Sequence, residues 1–436
     1  MMRIYDSYKD SGIEWIGEIP RHWNTSKFKY SSSLFTGNSL NDDQKTMYES
    51  NNIKDIPYVS SKDINVELRT VNFDNGLRIP KNEKGFKVSP KGSFLMVIEG
   101  GSSGRKIVYL DRDVCFVNKL CSFLSYHNTK YQYYFVQSQN YQDKFRLSIS
   151  GLIGGVSISN LRDFELLLPP LSEQEQIVSY LDEKTLLIDE MVEKKKRKIE
   201  LLKEYRTSLI NTVVTKGLNP DVPMKDSGIE WIGEIPRHWE CKLLKYVFKS
   251  VREKSENGDE ELLSVMIRRG VVKRTEYLED DIEHITRSES LKGYIKCSKW
   301  NLVNNIMKMG FYCMGISLYD GIVSPGYSVF ELVDKKNHPL YWEYLLKTEI
   351  YVTEYRKRSK GIQESRMRLY DDYFLSIHSI IPPPSEQEQI VSYLDEKTSE
   401  IDKTIELEKK KIELLKEYRQ SLISNVVTGK IKVVSE

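Results

Sequence analysis

The run GGSSGRK, residues 100–106, is where this 436-residue chain comes nearest to a phosphate-handling motif. A nucleotide-binding P-loop must close on G-K-[ST], so that backbone amides, an ammonium and a hydroxyl converge on the phosphates. Here the run ends Arg105, Lys106, Ile107, and that pattern fails. Two readings stay open: a tight loop offering small hydroxyls and two cations to a phosphate backbone, or a plain turn between strands. Pro220, Asp221, Glu240 and Lys242 resemble a loose nuclease pattern, but they fall in a Pro/Gly linker and not on adjacent strands. The five cysteines, Cys115, Cys121, Cys241, Cys297 and Cys313, lack the C-x-x-C and His spacings of a zinc site, so they read as reduced, structural thiols. The chain has neither an Asn-Pro-Pro-Tyr-type adenine methyltransferase motif nor a paired glycine fingerprint for a dinucleotide. It is expected to be non-catalytic, with no metal and no cofactor of its own.

Positive charge is the remaining chemical signal. Arg78, Lys81, Lys84, Lys87, Lys91, Arg105 and Lys106 outnumber Glu83 and Glu99, and further on Arg356, Lys357, Arg358, Lys360, Arg366 and Arg368 face Glu364 alone. Such clusters suit a surface that tracks phosphates, or a merely solvated face. The KKKRK run at 194–198 reads as a solvated helix face. Net charge is only +2 although 29% of the residues are charged, so it names no partner. The start lacks a signal-peptide core and no apolar run reaches about 18 residues, so a soluble, cytoplasmic protein without membrane contact is expected.

The elements that must position these groups come in duplicate. KDSGIEWIGEIPRHW at 9–23 returns at 225–239, and SEQEQIVSYLDEKT at 172–185 returns at 385–398. KIELLKEYR at 198–206 likewise returns at 411–419. Between the copies lie two stretches, 24–168 and 240–381, with only scattered similarity. The order is therefore linker (1–23), globule (24–168), charged segment (169–217), linker (218–239), second globule (240–381), and second charged segment with tail (382–436).

Each charged segment reads as one long helix. Leu181, Ile188, Val192, Ile199, Leu202, Leu209 and Val213 keep to one stripe of a 3.5 to 3.6 period, as do Leu394, Ile401, Ile405, Ile412, Leu415, Leu422 and Val426. Capping boxes are expected at Ser172 with Glu175 and at Ser385 with Glu388, and stops at Gly217 and Gly429. A stripe that long needs a partner, so the two helices are expected to pair antiparallel as a coiled coil, giving a pseudo-twofold internal repeat. Trp15, Ile16 and Trp23, with Trp231, Ile232 and Trp239, are expected to pack where a helix end meets a globule. Strands are expected around FLMVIEG, RKIVYL and FELLLP, and aromatic-faced helices at 131–145 and 340–355. The predicted class is α+β: two mixed, strand-rich domains separated by two long helices.

Two unlike globules, each preceded by a GEIPRHW linker and followed by a Pro-Pro-x-x-Glu-Gln helix start, resemble the specificity subunit of type I restriction-modification enzymes. KGSFLMVIEGGSSGRKI and NNIMKMGFYCMGISLYDGIVSPGY resemble its target-recognition domains. The resemblance implies double-stranded DNA as ligand, with each globule reading one half of an asymmetric bipartite site. It implies helices that set the spacer and two modification subunits docked alongside, with restriction subunits in the full complex. Those partners would use S-adenosylmethionine, ATP and Mg, making the assembly an adenine-N6 methyltransferase and ATP-dependent endonuclease. It places DNA contacts at Lys62, Ser102, Ser103, Arg105 and Lys106 in the first globule, and at Arg268, Arg269, Ser317, Tyr319 and Ser324 in the second. A coiled-coil scaffold without DNA contact, and a self-contained methyltransferase or nuclease, stand as alternatives.

Overall fold

A computed structural model describes residues 4–150, 154–267, 269–277, 290–361 and 367–433. The chain forms two compact units, Met1–Arg197 with Glu408–Glu436, and Lys198–Leu407. Both long helices, Leu171–Lys216 and Pro384–Val427, contribute a stretch to each unit.

In the first unit the central sheet joins Ser32–Thr36, Leu120–Ser125, Phe94–Val97 and Ile107–Tyr109, in that order and all antiparallel. Its strands alternate between two apolar cores, which is why FLMV is buried at every position. Phe94 and Met96 face the helices, with Phe94 stacked on Phe123 at 4.7 Å between ring centres. Leu95 and Val97 face a second core with Val59, Val108 and Phe116, under a mixed sheet containing Ile56–Val59 and Val114–Phe116. The second unit repeats the plan in the order Phe248–Val251, Tyr327–Leu332, Leu302–Asn305, Met314–Ile316. There Leu302 and Phe330 face the helices, while Val303 and Val329 face the smaller core.

The expected strands form at Phe94–Val97, Ile107–Tyr109 and Glu165–Leu168. The expected aromatic helices are each broken in two: Thr129–Phe135 and Gln139–Leu147 in one unit, Pro339–Leu346 and Glu349–Arg358 in the other. At the first break, Ser138 caps the second helix by accepting from the Tyr141 N–H. Four of the cysteines are buried in the cores, and burial pushes the thiols of Cys115 and Cys297 up to about 11.

The long helices pair antiparallel within each unit, and their predicted stripe is the buried one. Leu181, Ile188 and Leu422 lie in the first unit's core, and Val213, Ile390 and Leu394 in the second's. Cross-helix ion pairs flank the seam: Lys195–Glu408 at 2.8 Å and a bidentate Arg419–Asp189 pair in the first unit, Arg206–Asp402 at 3.1 Å in the second. Gly217 and Gly429 end the helices with φ of 79° and 75°, as stops should. The starts differ from expectation. The helices begin at Leu171 and Pro384, one residue before the expected serine caps, and their first amides donate to the Pro170 and Pro383 carbonyls. The prolines start the turn because their fixed φ suits it, and the Gln174 and Gln387 side chains donate back to the Pro169 and Pro382 carbonyls.

Within these first turns Glu173 and Glu386 hold the duplicated linkers. In the first unit Glu173 accepts from Tyr5 and pairs with His22 at 2.8 Å. In the second, Glu386 pairs with His238 at 2.5 Å and accepts from Trp239 Nε1 at 2.9 Å. The second tryptophan of each linker is fully buried and lies against the glycine that ends a long helix, Trp23 on Gly429 and Trp239 on Gly217, while Trp15 and Trp231 are half-buried. Tyr131 donates to the Val427 carbonyl and Tyr341 to that of Val214, while Tyr134 and Tyr344 donate to Asp182 and Asp395. The same sequence packs against equivalent elements in both units, and the difference lies beside the shared histidine, where Tyr5 bonds Glu173 in one and Trp239 bonds Glu386 in the other.

Candidate nucleic-acid interface

The first candidate contact surface is built on a hairpin tip. The strands Phe94–Val97 and Ile107–Tyr109 deliver residues 98–106 to one edge of the central sheet. The tip is tight because Gly104, at φ 75°, lies where a Cβ would come within 2.7 Å of the Phe145 ring. Ser103 is buried and its hydroxyl donates to the Gly100 carbonyl at 2.8 Å, so it shapes the loop and does not face outward. Ser102 is half-buried. Arg105 is exposed, with its guanidinium folded over the Gly101 carbonyl at 2.5 Å. The Lys106 ammonium donates to the Ser61 carbonyl at 2.5 Å. That contact brings in the short 3-10 turn Ser61–Asp63, which Asp63 stabilises by accepting from both the N–H and the hydroxyl of Ser60. Lys62 projects from this turn and is exposed. Lys62, Arg105 and Lys106 are therefore assembled at one edge, while Ser103 serves the backbone.

In the second unit the predicted residues are dispersed. The equivalent hairpin, Leu302–Asn305 with Met314–Ile316, carries its tip at residues 306–313. Ser317 and Tyr319 lie after the second strand, at the opposite end of that hairpin. Backbone bonds fix the equivalence: the Trp300 N–H donates to the Ser317 carbonyl, as the Gly92 N–H donates to Leu110. Ser317 is fully buried and its hydroxyl donates to the Tyr319 carbonyl at 2.7 Å, a turn brace. The Tyr319 ring is half-buried beneath the Lys273 ammonium, 4.9 Å from the ring centre. Ser324 instead lies beside the tip, where its Oγ accepts from the Gly326 N–H and Met307 approaches Gly326. Arg269 is exposed on the turn between Leu263–Met266 and Gly270–Lys273, and Arg268 lies outside the described residues, as does Arg366 of the second cationic cluster.

The second unit's hairpin tip presents side chains that the sequence did not single out. The true counterpart of SSGRK is KMGFY, residues 308–312, where Gly310 lies against Arg356 as Gly104 lies against Phe145. Met307 and Phe311 are exposed on this tip. At the opposite end, Trp300 is exposed at φ 73° with Lys299 over its ring, where the twin position holds Gly92 at φ 83°. A non-glycine in this conformation is held there by its surroundings. The sequence signal was the SKWN turn, in which Asn301 accepts from the Ser298 N–H.

Residues 24–201 match the family model of the type I restriction modification DNA specificity domain. A curated relative, the type I restriction enzyme MjaVIII specificity subunit of Methanocaldococcus jannaschii, is 26% identical over 282 residues, or 61% of this chain. The first globule and the start of the helix that follows it thus carry a type I restriction modification DNA specificity domain. The match spans 62% of that relative's length. Two solved structures share the specificity-subunit fold: a chain from a study of complex assembly and conformational transition of the type I R-M system, with TM-score 0.67 at 12% identity, and the HsdS subunit from Thermoanaerobacter tengcongensis, with TM-score 0.54 at 14% identity. The first covers 94% of this chain and 98% of that one, the second 95% and 98%. Among the described residues, no helix is long and apolar enough to cross a membrane, and no cluster of His, Cys, Asp or Glu could hold a metal ion.

Proposed function

We propose that the chain is the DNA-reading subunit of a type I restriction-modification complex, each globule contacting one half of an asymmetric, bipartite site. One observation carries this reading: the same frame of linker, sheet and helix pair recurs in both units, while the hairpin tips differ, SSGRK in one and KMGFY in the other. Matched readers would suit a palindrome, and unlike readers suit unlike half-sites. The continuous long helices would set the spacer between them. The chain itself contributes no catalytic group; adenine-N6 methylation with S-adenosylmethionine, and ATP- and Mg-dependent cleavage, would belong to partner subunits.

The long helices also suggest how many modification subunits bind. Leu201 and Tyr205 are 48% and 55% exposed on the first helix, and their duplicates Leu414 and Tyr418 are 54% and 49% exposed on the second. Residues four apart share one helix face. The same apolar pair presented twice calls for two copies of the same partner.

The geometry separates the two loop cations. Lys106 is spent on the Ser61 carbonyl, whereas Arg105 lies exposed on the tip without a carboxylate partner among the described residues. Arg105→Ala should reduce the slope of log affinity against log salt by about 0.9, the loss of one phosphate contact. Lys106→Ala should move that slope less and loosen the loop instead. Duplex binding by the assembled complex across a salt series checks this; an unchanged slope in Arg105→Ala would remove the tip from the interface.

A further inference from the structure

The loop at residues 64–71 of the first unit carries a cation with no ion pair of its own among the described residues. Ile64 bridges Val71, the Asn65 N–H donates to the Thr70 carbonyl, and Arg69 at the turn is forced to φ 51°. The Arg69 Nη1 is shielded from water and has no hydrogen-bond partner among the described residues. Burial lowers its pKa to about 10, so the group still carries its charge at neutral pH. The nearby acids are committed elsewhere. Asp189 accepts from Arg419 with both oxygens, at 2.9 and 3.3 Å, and Glu67 pairs with Lys196 at 3.2 Å and Lys416 at 4.0 Å.

Arg69 borders a cleft of about 630 Å³ that runs beneath the 100–105 tip, with Arg105 on its rim. Arg146 also lines it but is neutralised by Asp143 at 2.6 Å. On the cleft wall the Gln137 side-chain amide donates to the Tyr133 carbonyl, and its Oε1 is buried with no donor among the described residues. A buried donor bearing positive charge and a buried acceptor, each unpaired among the described residues and lining one cleft, define a complementary ligand: an anion with a hydroxyl or amino group beside it.

We propose that this cleft is a phosphate-binding site, with Arg69 and Arg105 contacting the phosphoryl oxygens and the Gln137 Oε1 accepting from an O–H or N–H of the same ligand. The phosphate can come from a nucleic-acid backbone or from a small phosphorylated molecule, and only the first source rests on the proposed DNA-reading function.

The test uses the full chain with inorganic phosphate as probe and chloride at matched ionic strength as control, followed by thermal unfolding and by titration calorimetry. Phosphate should raise the unfolding midpoint of the wild type where chloride does not. Arg69→Gln should weaken phosphate binding roughly tenfold or more, the scale of a lost charge-assisted hydrogen bond. Arg105→Gln, an exposed change that leaves the fold intact, should weaken it in the same direction and decides the matter where Arg69→Gln fails to fold. No phosphate effect in the wild type, or equal effects in wild type and Arg105→Gln, overturns the proposal. In the complex assembled with modification subunits, a salt slope lowered by about 0.9 in Arg69→Gln identifies the DNA backbone as the source. An unchanged slope with phosphate binding lost identifies a small phosphorylated ligand. A complex that binds no duplex while the chain still binds phosphate would refute the DNA reading and leave the pocket standing.

Discussion

Trp239→Ala is expected to destabilise the second unit by about 3–5 kcal/mol, enough to unfold it or leave it marginal at ordinary temperatures. The indole is fully buried between the end of the first long helix and the start of the second, and alanine would leave a cavity where linker, helix end and globule meet. The milder change to phenylalanine should distinguish the two copies of the linker. Trp239 Nε1 donates to Glu386, whereas Trp23 Nε1 is buried without a partner among the described residues, because Tyr5 and His22 already engage Glu173. Trp239→Phe removes a donor from a carboxylate, at a cost of about 1–3 kcal/mol beyond the lost packing. Trp23→Phe removes an unsatisfied polar group and should cost less, although the surrounding sequence is the same. Chemical denaturation of the two variants decides it, and equal losses would contradict the bonding described at the helix starts.

The second large effect concerns assembly. Leu201→Glu with Tyr205→Glu should abolish binding of one modification subunit and leave the other, and Leu414→Glu with Tyr418→Glu should do the reverse. All four changes together should leave the chain alone. These side chains project into solvent, so the folded state should shift by only about 0.5 kcal/mol per substitution. Mass measurement of the reconstituted complex gives the count directly. Two partners retained by the fourfold variant would place their docking surface elsewhere.

Much of this architecture is legible in the sequence because it rests on period and repetition. The apolar stripes at Leu181 to Val213 and Leu394 to Val426 require long helices with one buried face, and those faces are buried or half-buried in the structure. The linker repeats predict equivalent surroundings, and Trp23 on Gly429 matches Trp239 on Gly217. What the sequence hides is local competition. Ser172 and Ser385 have the pattern of a capping box with Glu175 and Glu388, yet the preceding prolines start the turn, and the acids at 173 and 386, which the pattern does not single out, bond the linkers.

The candidate site was legible only on one side. In the first globule the glycine-bounded tip and its cations stand out as a run, and the structure assembles Lys62, Arg105 and Lys106 around it. In the second, ISLYDGIVSPG offers equally polar turns at both ends of a hairpin, and nothing in composition tells which end corresponds to the first globule's tip. Strand pairing places Ser317 and Tyr319 at the far end and brings forward Met307 and Phe311. Arg69 was invisible for another reason: an arginine in a left-handed turn carries no sequence signature, and its isolation depends on which partners the neighbouring acids have taken.

The central claim is that two unlike globules on a duplicated frame read two unlike half-sites, and mapping methylated adenines across the genome tests it most directly. With the gene present, methylation should fall on an asymmetric motif of two short elements separated by a fixed gap, and it should vanish when the gene is deleted. Replacing residues 24–168 with the corresponding domain of another family member should change one element and preserve the other. A palindromic motif, methylation indifferent to the gene, or a domain exchange that alters both elements would contradict the account.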